Sequence, residues 1–161
     1  MLAEILPKQD ADYYPLTPVE VGYLAGIIDG EGALVLTKRQ GSPTQHQPQV
    51  VISSTTKPML DWMCIRFDGR VTRIDSIHNH CWRWVCPAIQ LGRLLYLAMP
   101  YLVVKKRQAL LLLYWLRYCQ LQHRWARTPA IEEKLVRVYR LLSLCHMKGP
   151  RKFRRARRAA C

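Results

Sequence analysis

Acidic residues are scarce in this chain of 161 residues, and they are scarcest in its second half. Lysine and arginine together number 25 against 11 aspartates and glutamates, and after Asp75 the only acids are Glu132 and Glu133. The net charge of +14 indicates a polyanionic partner, most often nucleic acid, although a basic protein can also carry such charge for solubility alone. Composition does not distinguish DNA from RNA or from an anionic membrane surface.

Long apolar runs and paired cysteines are also missing. The longest apolar run, residues 109–116, is far too short to cross a bilayer, and we expect neither a membrane partner nor a secretory leader. The six cysteines form no CxxC pair, and three of them lie within apolar helical or strand patterns. We therefore expect reduced thiols in an intracellular protein, with organelle (chloroplast or mitochondrion), nucleus and bacterial cytoplasm all left open.

Hydrophobic residues make up 50% of the chain, which is enough for one domain with a substantial core. Residues 1–16 have a mixed composition and are predicted to form an N-terminal arm. Residues 17–148 are predicted to form the folded domain, because a Gly-Pro pair then stops the last helical pattern. Residues 149–161 are a basic tail, which either binds phosphates nonspecifically or stays a solvated charge run.

The spacing of apolar residues predicts the order helix, two strands, helix, two strands and then further helices. The predicted fold class is therefore α+β, with an αββαββα order. Pro48 interrupts the second strand, and since proline cannot donate to a sheet ladder, it predicts an edge strand or a bulge. The predicted helices lie at about 18–29, 55–67, 87–99, 103–125 and from 128 onward, and the predicted strands at 33–39, 45–53, 70–74 and 80–86.

The first helix is unusual for its glycines. Thr17 and Glu20 supply a capping box at its start. Gly22, Gly26 and Gly30 then follow at intervals of four, although each glycine in a helix interior costs about 1 kcal/mol relative to alanine. Their spacing places them on one face of the helix, where another backbone can approach closely.

Two acids, Asp29 and Glu31, cluster where this helix should end, at the end of the helix dipole that disfavours carboxylates. A metal ion or another cation would compensate for them. The stretch Leu24-Ala25-Gly26-Ile27-Ile28-Asp29-Gly30-Glu31-Gly32 resembles the LAGLIDADG homing-endonuclease motif, with every position identical or conservative. The alternative interpretation is an ordinary helix that ends in a glycine-rich turn before a strand.

The resemblance implies the fold and the activity of that family. The four strands would form a curved antiparallel sheet that lies in the DNA major groove, followed by C-terminal helices. The activity would be hydrolysis of both strands of a long, near-palindromic double-stranded DNA site with Mg²⁺, for which Ca²⁺ or Mn²⁺ substitutes in binding or activity. Single-motif proteins of this family act as homodimers, and their genes usually lie in introns.

The resemblance also implies which residues carry the chemistry. Glu31 would be the catalytic metal ligand, together with the backbone carbonyl of Gly30. Lys105 would stabilise developing charge or position water, with the next two basic residues as alternatives. Ser54 matches the water-organising position, although capping of the next helix explains this serine equally well.

A homodimer is expected because the chain contains one copy of the motif, and cutting two strands calls for two such acids. The glycine stripe would supply the contact between helices, although close packing within one subunit is the alternative. Asp29 is also expected to cap or support the first helix. The residues predicted to form the dimer interface are Gly22, Ala25, Gly26, Asp29 and Gly30.

One face of the sheet is expected to read DNA, and the alternation of strand residues selects that face. Trp82 and Trp84 then lie on the opposite, core-facing side, whereas a slip of one residue would exchange the faces. The residues predicted to contact DNA are Val35, Thr37, Arg39, Gln45, Gln47, Gln49, Arg70, Thr72, Asn79 and Arg83 from the strands, and Lys106 and Arg107 near the start of the long helix.

A second hypothesis keeps the fold and removes the cleavage. The chain would then be an RNA-splicing maturase, with intron RNA as a partner, or a DNA-binding relative that no longer cuts. Glu31 and Lys105 favour retained chemistry, because a pure binder needs neither. Ser54 weakly favours the second hypothesis, because many members of the family carry a longer amide at this position.

Overall fold

The structure, a computed structural model, describes residues 15–38, 46–75, 80–122 and 129–146. The predicted arm up to residue 14, the basic tail and the predicted DNA contacts Arg39, Gln45 and Asn79 lie outside these residues. The described residues form an α+β fold with one four-stranded antiparallel sheet, so the predicted fold class and element order are confirmed. The helices are α1 (Pro18–Glu31), α2 (Lys57–Phe67), α3 (Ala88–Ala98), α4 (Lys106–Gln122) and α5 (Pro129–His146), with a 3₁₀ turn at Met99–Tyr101; the strands are β1 (Gly32–Lys38), β2 (His46–Ser54), β3 (Arg70–Asp75) and β4 (His80–Val85).

Helix α1 begins with the predicted capping box. The Thr17 side chain accepts a hydrogen bond from the Glu20 backbone N–H at 3.3 Å, and the Glu20 carboxylate accepts one from the Thr17 backbone N–H at 2.8 Å. This backbone hydrogen bond is the main reason that the pKa of Glu20 lies below its ordinary value. Arg66 of α2 also donates to Glu20, so the start of α1 is fixed to a neighbouring helix.

The strands lie in the order β1-β2-β4-β3, which puts β2 in the interior of the sheet. Strand β2 as a whole is therefore not an edge strand, but the prediction of an edge position holds for Pro48 itself. Strand β2 pairs with β4 only over Val51–Ser54, whereas Pro48 pairs with Leu36 of β1. The proline is tolerated because it lies in the half of β2 that has one neighbouring strand instead of two.

The helices cover one face of the sheet and enclose the core. Trp84 near the end of β4 is completely buried, and its indole N–H donates to the backbone carbonyl of Asp68 at 2.8 Å. That carbonyl belongs to the turn after α2, where Gly69 has a φ of +96° and a Cβ would lie 2.7 Å from the Trp84 indole nitrogen. Glycine is needed at this turn because both the backbone conformation and the space exclude a side chain.

A smaller apolar cluster joins the last two helices to the edge of the sheet. Trp115 of α4 packs with Leu135 and Val138 of α5, and Leu36 of β1 contacts this cluster. At the end of α5, a ring nitrogen of His146 hydrogen-bonds to the Leu34 carbonyl at 2.7 Å. Among the described ranges, no helix combines the length and the apolar character that a bilayer span requires.

Candidate active site

Glu31 lies at the junction of α1 and β1, because the strand begins directly after the helix. Gly32 makes this junction possible: a Cβ at this position would lie 2.6 Å from the Ile28 carbonyl oxygen, closer than real Cβ atoms approach. The backbone N–H of Gly32 donates to that same carbonyl. Glu31 is therefore held at a fixed place at the end of the helix, with an exposed side chain.

The Asp29 carboxylate binds a distant part of the chain. It accepts hydrogen bonds from three consecutive backbone N–H groups before α4, those of Val103 at 2.7 Å, Val104 at 3.2 Å and Lys105 at 2.9 Å. Partial burial alone would raise the pKa of this carboxyl, but these hydrogen bonds and the charge of Lys105 outweigh burial, so the pKa lies below its ordinary value. Asp29 was expected to cap or support its own helix, α1. Its carboxylate instead supports the segment before α4.

Lys105 binds back to the end of α1. Its ammonium donates to the backbone carbonyls of Ile28 at 2.9 Å and Asp29 at 2.8 Å, which belong to the last turn of the helix. A cation at this end of a helix is favourable, because it faces the negative end of the helix dipole. Partial burial lowers the pKa of Lys105 below its ordinary value, and the negative charges of Asp29 and Glu31 offset this only in part.

The predicted catalytic pair, Glu31 and Lys105, is thus brought together at the end of α1. No group of three histidine, cysteine, aspartate or glutamate side chains within the described ranges forms a metal site. The Asp29 carboxylate is occupied by backbone N–H groups. The Glu31 carboxylate and the Gly30 carbonyl therefore fit best as oxygen ligands for a hard divalent cation. One chain supplies too few ligands, so a second chain, DNA phosphates or water would have to complete the site.

Ser54, the third predicted catalytic residue, lies at the end of β2. Gly32 at the start of β1 pairs with Ile52, so Ser54 lies at the same end of the sheet as Glu31. Its hydroxyl accepts a hydrogen bond from the Thr56 backbone N–H at 3.1 Å and shapes the turn before α2. The N-cap residue of α2 is Thr56, whose own side chain makes no capping hydrogen bond. Ser54 instead satisfies the backbone N–H of Thr56, which agrees with the alternative interpretation that this serine helps to cap α2.

The glycine stripe of α1 faces outward. A Cβ added at Gly22, Gly26 or Gly30 would meet no described residue within 4 Å, so the stripe is not packed against the part of the subunit that the structure describes. Val19 and Tyr23 beside the stripe are 82% and 49% exposed, which gives α1 an uncovered face with apolar side chains.

Two predicted interface residues need correction. Ala25 is 2% exposed and lies in the subunit core, because one residue along a helix turns the side chain by about 100° away from the stripe. Asp29 is half-buried, and its carboxylate is engaged by the segment before α4 within the same chain. Ala25 and Asp29 therefore do not belong to the outward surface of α1 that Gly22 and Gly26 form.

The strand register places the described members of the predicted DNA surface on one face of the sheet. Residues that pair directly across strands share a face, and Trp84 pairs with Ile52 and Val71 on the core side. The prediction that Trp82 and Trp84 lie on the core side is confirmed. The opposite face carries the pairs Val35 with Gln49, Thr37 with Gln47, and Thr72 with Arg83, together with Arg70.

Lys106 and Arg107 are exposed and are the first two residues of α4. Positive side chains are unfavourable at a helix N-terminus, because they face the positive end of the dipole. The segment before them, from Val103 to Lys105, contains no residue of the types that usually cap helices. The lack of a capping residue is the sequence signal that a residue from elsewhere in the chain caps α4. That residue is Asp29, whose carboxylate accepts hydrogen bonds from the backbone N–H groups before the helix.

The described residues have the fold of the LAGLIDADG homing endonucleases. Similar solved structures include the archaeal intron-encoded homing endonuclease I-Vdi141I complexed with DNA, with a TM-score of 0.66 and 21% identity over 83% of this chain and 88% of that chain. The homing endonuclease I-CvuI, in complex with target DNA, has a TM-score of 0.62 and 17% identity over 82% of this chain and 85% of that chain.

A third similar structure is the group I intron-encoded homing endonuclease I-CeuI complexed with DNA, with a TM-score of 0.63 and 16% identity over 81% of this chain and 69% of that chain. I-CvuI has been solved with DNA in the presence of Mg²⁺, with the DNA not cleaved, and in the presence of Ca²⁺. No family model and no curated protein matches the sequence.

Proposed function

We propose that this protein is a site-specific homing endonuclease that cuts both strands of double-stranded DNA as a homodimer. The observation that carries the proposal is the arrangement at the end of α1, where an exposed carboxylate, Glu31, lies beside a lysine, Lys105, that two backbone carbonyls hold in place. A negatively charged oxygen ligand beside a fixed cation is what phosphodiester hydrolysis calls for.

The proposed cofactor is Mg²⁺, with Ca²⁺ or Mn²⁺ as substitutes. Glu31 and the Gly30 carbonyl would hold it, because hard cations select carboxylate and carbonyl oxygen. When bound, the ion would neutralise developing charge on the phosphate and lower the pKa of a bound water. Lys105 would add a second positive charge beside Glu31. Its two hydrogen bonds to the backbone of α1 hold the ammonium in a fixed position.

Target recognition is assigned to the sheet face opposite the core. Arg70 and Arg83 can bind guanine or phosphate, and Gln47 and Gln49 can bind adenine, so the face offers direct readout in a major groove. The net charge of +14 would draw the protein to DNA without regard to sequence. The similar solved structures I-CvuI, I-Vdi141I and I-CeuI are complexes with DNA, which supports the same assignment.

The homodimer is assigned to the outward glycine stripe of α1. Gly22 and Gly26 allow two helices to approach closely across a two-fold axis, and Val19 and Tyr23 would then be covered. The stripe ends at Gly30, directly before Glu31, so the same two-fold axis would bring two Glu31 carboxylates near each other. We also propose that the gene is intron-encoded and that the protein acts inside the cell.

The test is cleavage of DNA that carries the gene's own uninterrupted insertion site, with Mg²⁺ for cutting and Ca²⁺ for binding. The wild type should cut both strands, and Glu31→Gln should bind in Ca²⁺ with unchanged affinity and cut at least about 100-fold more slowly. Glu133→Gln, which removes one exposed carboxylate from α5, is the matched control and should cut normally. Tight binding of the wild type without cutting in any metal would contradict the proposal.

A maturase or a cleavage-inactive DNA binder is the second candidate, and one observation favours it. The Ser54 hydroxyl already accepts a hydrogen bond from Thr56, which leaves its oxygen less able to order a water. If the wild type binds the DNA without cutting it, the intron RNA is the next ligand to test.

A further inference from the structure

We infer that Asp29 is a positioning residue for cleavage, which fixes the catalytic Lys105 against the end of α1. This inference rests on the proposed function. The Asp29 carboxylate and the Lys105 ammonium form a two-way connection: the carboxylate binds the backbone before α4, and the ammonium binds the backbone at the end of α1. We call this connection the Asp29–Lys105 clasp.

Both carboxylate oxygens are needed for the clasp. Oδ2 accepts from Val103 at 2.7 Å and Val104 at 3.2 Å, and Oδ1 accepts from Lys105 at 2.9 Å. An amide at position 29 offers one oxygen, and its NH₂ group would face a backbone N–H that also donates. Asp29→Asn therefore breaks the clasp while the side chain keeps nearly the same size.

The segment is anchored before the clasp by the buried Leu102 and after it by the Lys105 carbonyl, which accepts a hydrogen bond from the Ala109 N–H at 2.9 Å. The three backbone N–H groups between these anchors are bound by the Asp29 carboxylate, so the position of Lys105 depends on the clasp. Val103 and Val104 are 86% and 71% exposed, so packing of their side chains contributes little. Once the backbone of Lys105 is released, its ammonium loses its alignment with the Ile28 and Asp29 carbonyls. A shift of about 1 Å in a catalytic group costs on the order of 100-fold in rate.

Glu31 depends on the same clasp less strongly. The junction to β1 holds it through the Gly32 backbone, which donates to Ile28 independently of the Asp29 side chain. Loss of the clasp should therefore act on cleavage through Lys105, and it should leave both the sheet face and the carboxylate at position 31 in place.

The experiment compares Asp29→Asn, Lys105→Ala and the double variant with the wild type and the Glu133→Gln control in the full chain. Single-turnover cleavage in Mg²⁺ should fall about 10- to 100-fold in Asp29→Asn, while DNA affinity in Ca²⁺ stays within about twofold. The double variant should cut no more slowly than Lys105→Ala alone, because Asp29 acts through Lys105. Asp29→Glu, which keeps two carboxylate oxygens, should recover part of the rate.

Amide hydrogen exchange of the peptide that spans residues 101–108 reports on the clasp without cleavage. Protection of the three amides should be lost in Asp29→Asn and kept in the control. If exchange rises but the Asp29→Asn enzyme cuts at the wild-type rate, or if the two substitutions slow cleavage additively, the inference is overturned and the proposed function stands. If the wild type binds DNA and does not cut, the proposed function fails and takes the inference with it.

Discussion

Replacing Gly26 by alanine tests the proposed dimer, because the substitution has opposite effects on one chain and on two. Among the described residues of one chain, a Cβ at Gly26 meets nothing within 4 Å, and the residue lies in the middle of α1. Alanine has a higher helix propensity than glycine by about 1 kcal/mol, so each isolated subunit should become more stable by up to that amount. Across a two-fold axis, however, two added methyl groups would separate helices that pack through their glycines.

The dimer should consequently weaken by at least about 1.4 kcal/mol, which is a tenfold rise in the dissociation constant measured by analytical ultracentrifugation. Gly92→Ala is the matched control, since a Cβ there also meets no described atom within 4 Å and the residue lies in the middle of α3. This control should raise the stability of the subunit and leave the dissociation constant unchanged. If Gly26→Ala and Gly92→Ala behave alike in sedimentation, the glycine stripe is not the dimer interface.

Three further predictions follow from single sites. Gly69→Ala should lower the free energy of unfolding, measured by urea denaturation, by about 2 kcal/mol or more. The reason is that Gly69 has a φ of +96° and that a Cβ there would lie 2.8 Å from the Val85 carbonyl oxygen, and an unchanged urea midpoint would contradict it. Burial raises the pKa of the Cys86 thiol to about 12, so iodoacetamide at pH 8 should not modify Cys86 in the native protein. The half-buried Cys81 should react, and equal labelling of the two cysteines in peptide mass spectrometry would refute this prediction. Arg83→Ala should weaken binding of the target DNA about tenfold or more, whereas Arg73→Ala, on the opposite face of the same sheet, should change it less than about twofold; equal losses would reject the assigned face.

Local pattern was sufficient to predict α1 and the faces of the strands. The capping box at Thr17, the helical period of Leu24 and Ile28, and the alternation along β4 each depend on neighbours in the sequence. The buried tryptophan on β4 fixes which face of that strand turns toward the core, whereas the register between strands does not follow from it, because a shift of two residues keeps the same face.

Other features depend on contacts between distant residues and could not be read from local pattern. The bonds from Asp29 to the segment before α4 join residues 74 to 76 positions apart, and they explain why that helix begins at Lys106 and not at 103. Pro48 predicted an edge position correctly, but only the strand order reveals that this edge is confined to one half of an interior strand. Ala25 was misjudged as an interface residue through its place in the motif, whereas its helical position puts it in the core.

The strand order also affects how this protein folds. Each hairpin, β1 with β2 and β3 with β4, joins strands that are neighbours in the chain, but the centre of the sheet joins Val51 to Val85 and Ser54 to Trp82. Such non-local pairing is slow to form, because a long stretch of chain must be ordered first. A nascent chain that has not yet extended past residue 85 would leave one side of β2 as an unpaired edge, open to pairing with another chain. Production of this protein should therefore benefit from chaperones that shield this edge until β4 has been synthesised.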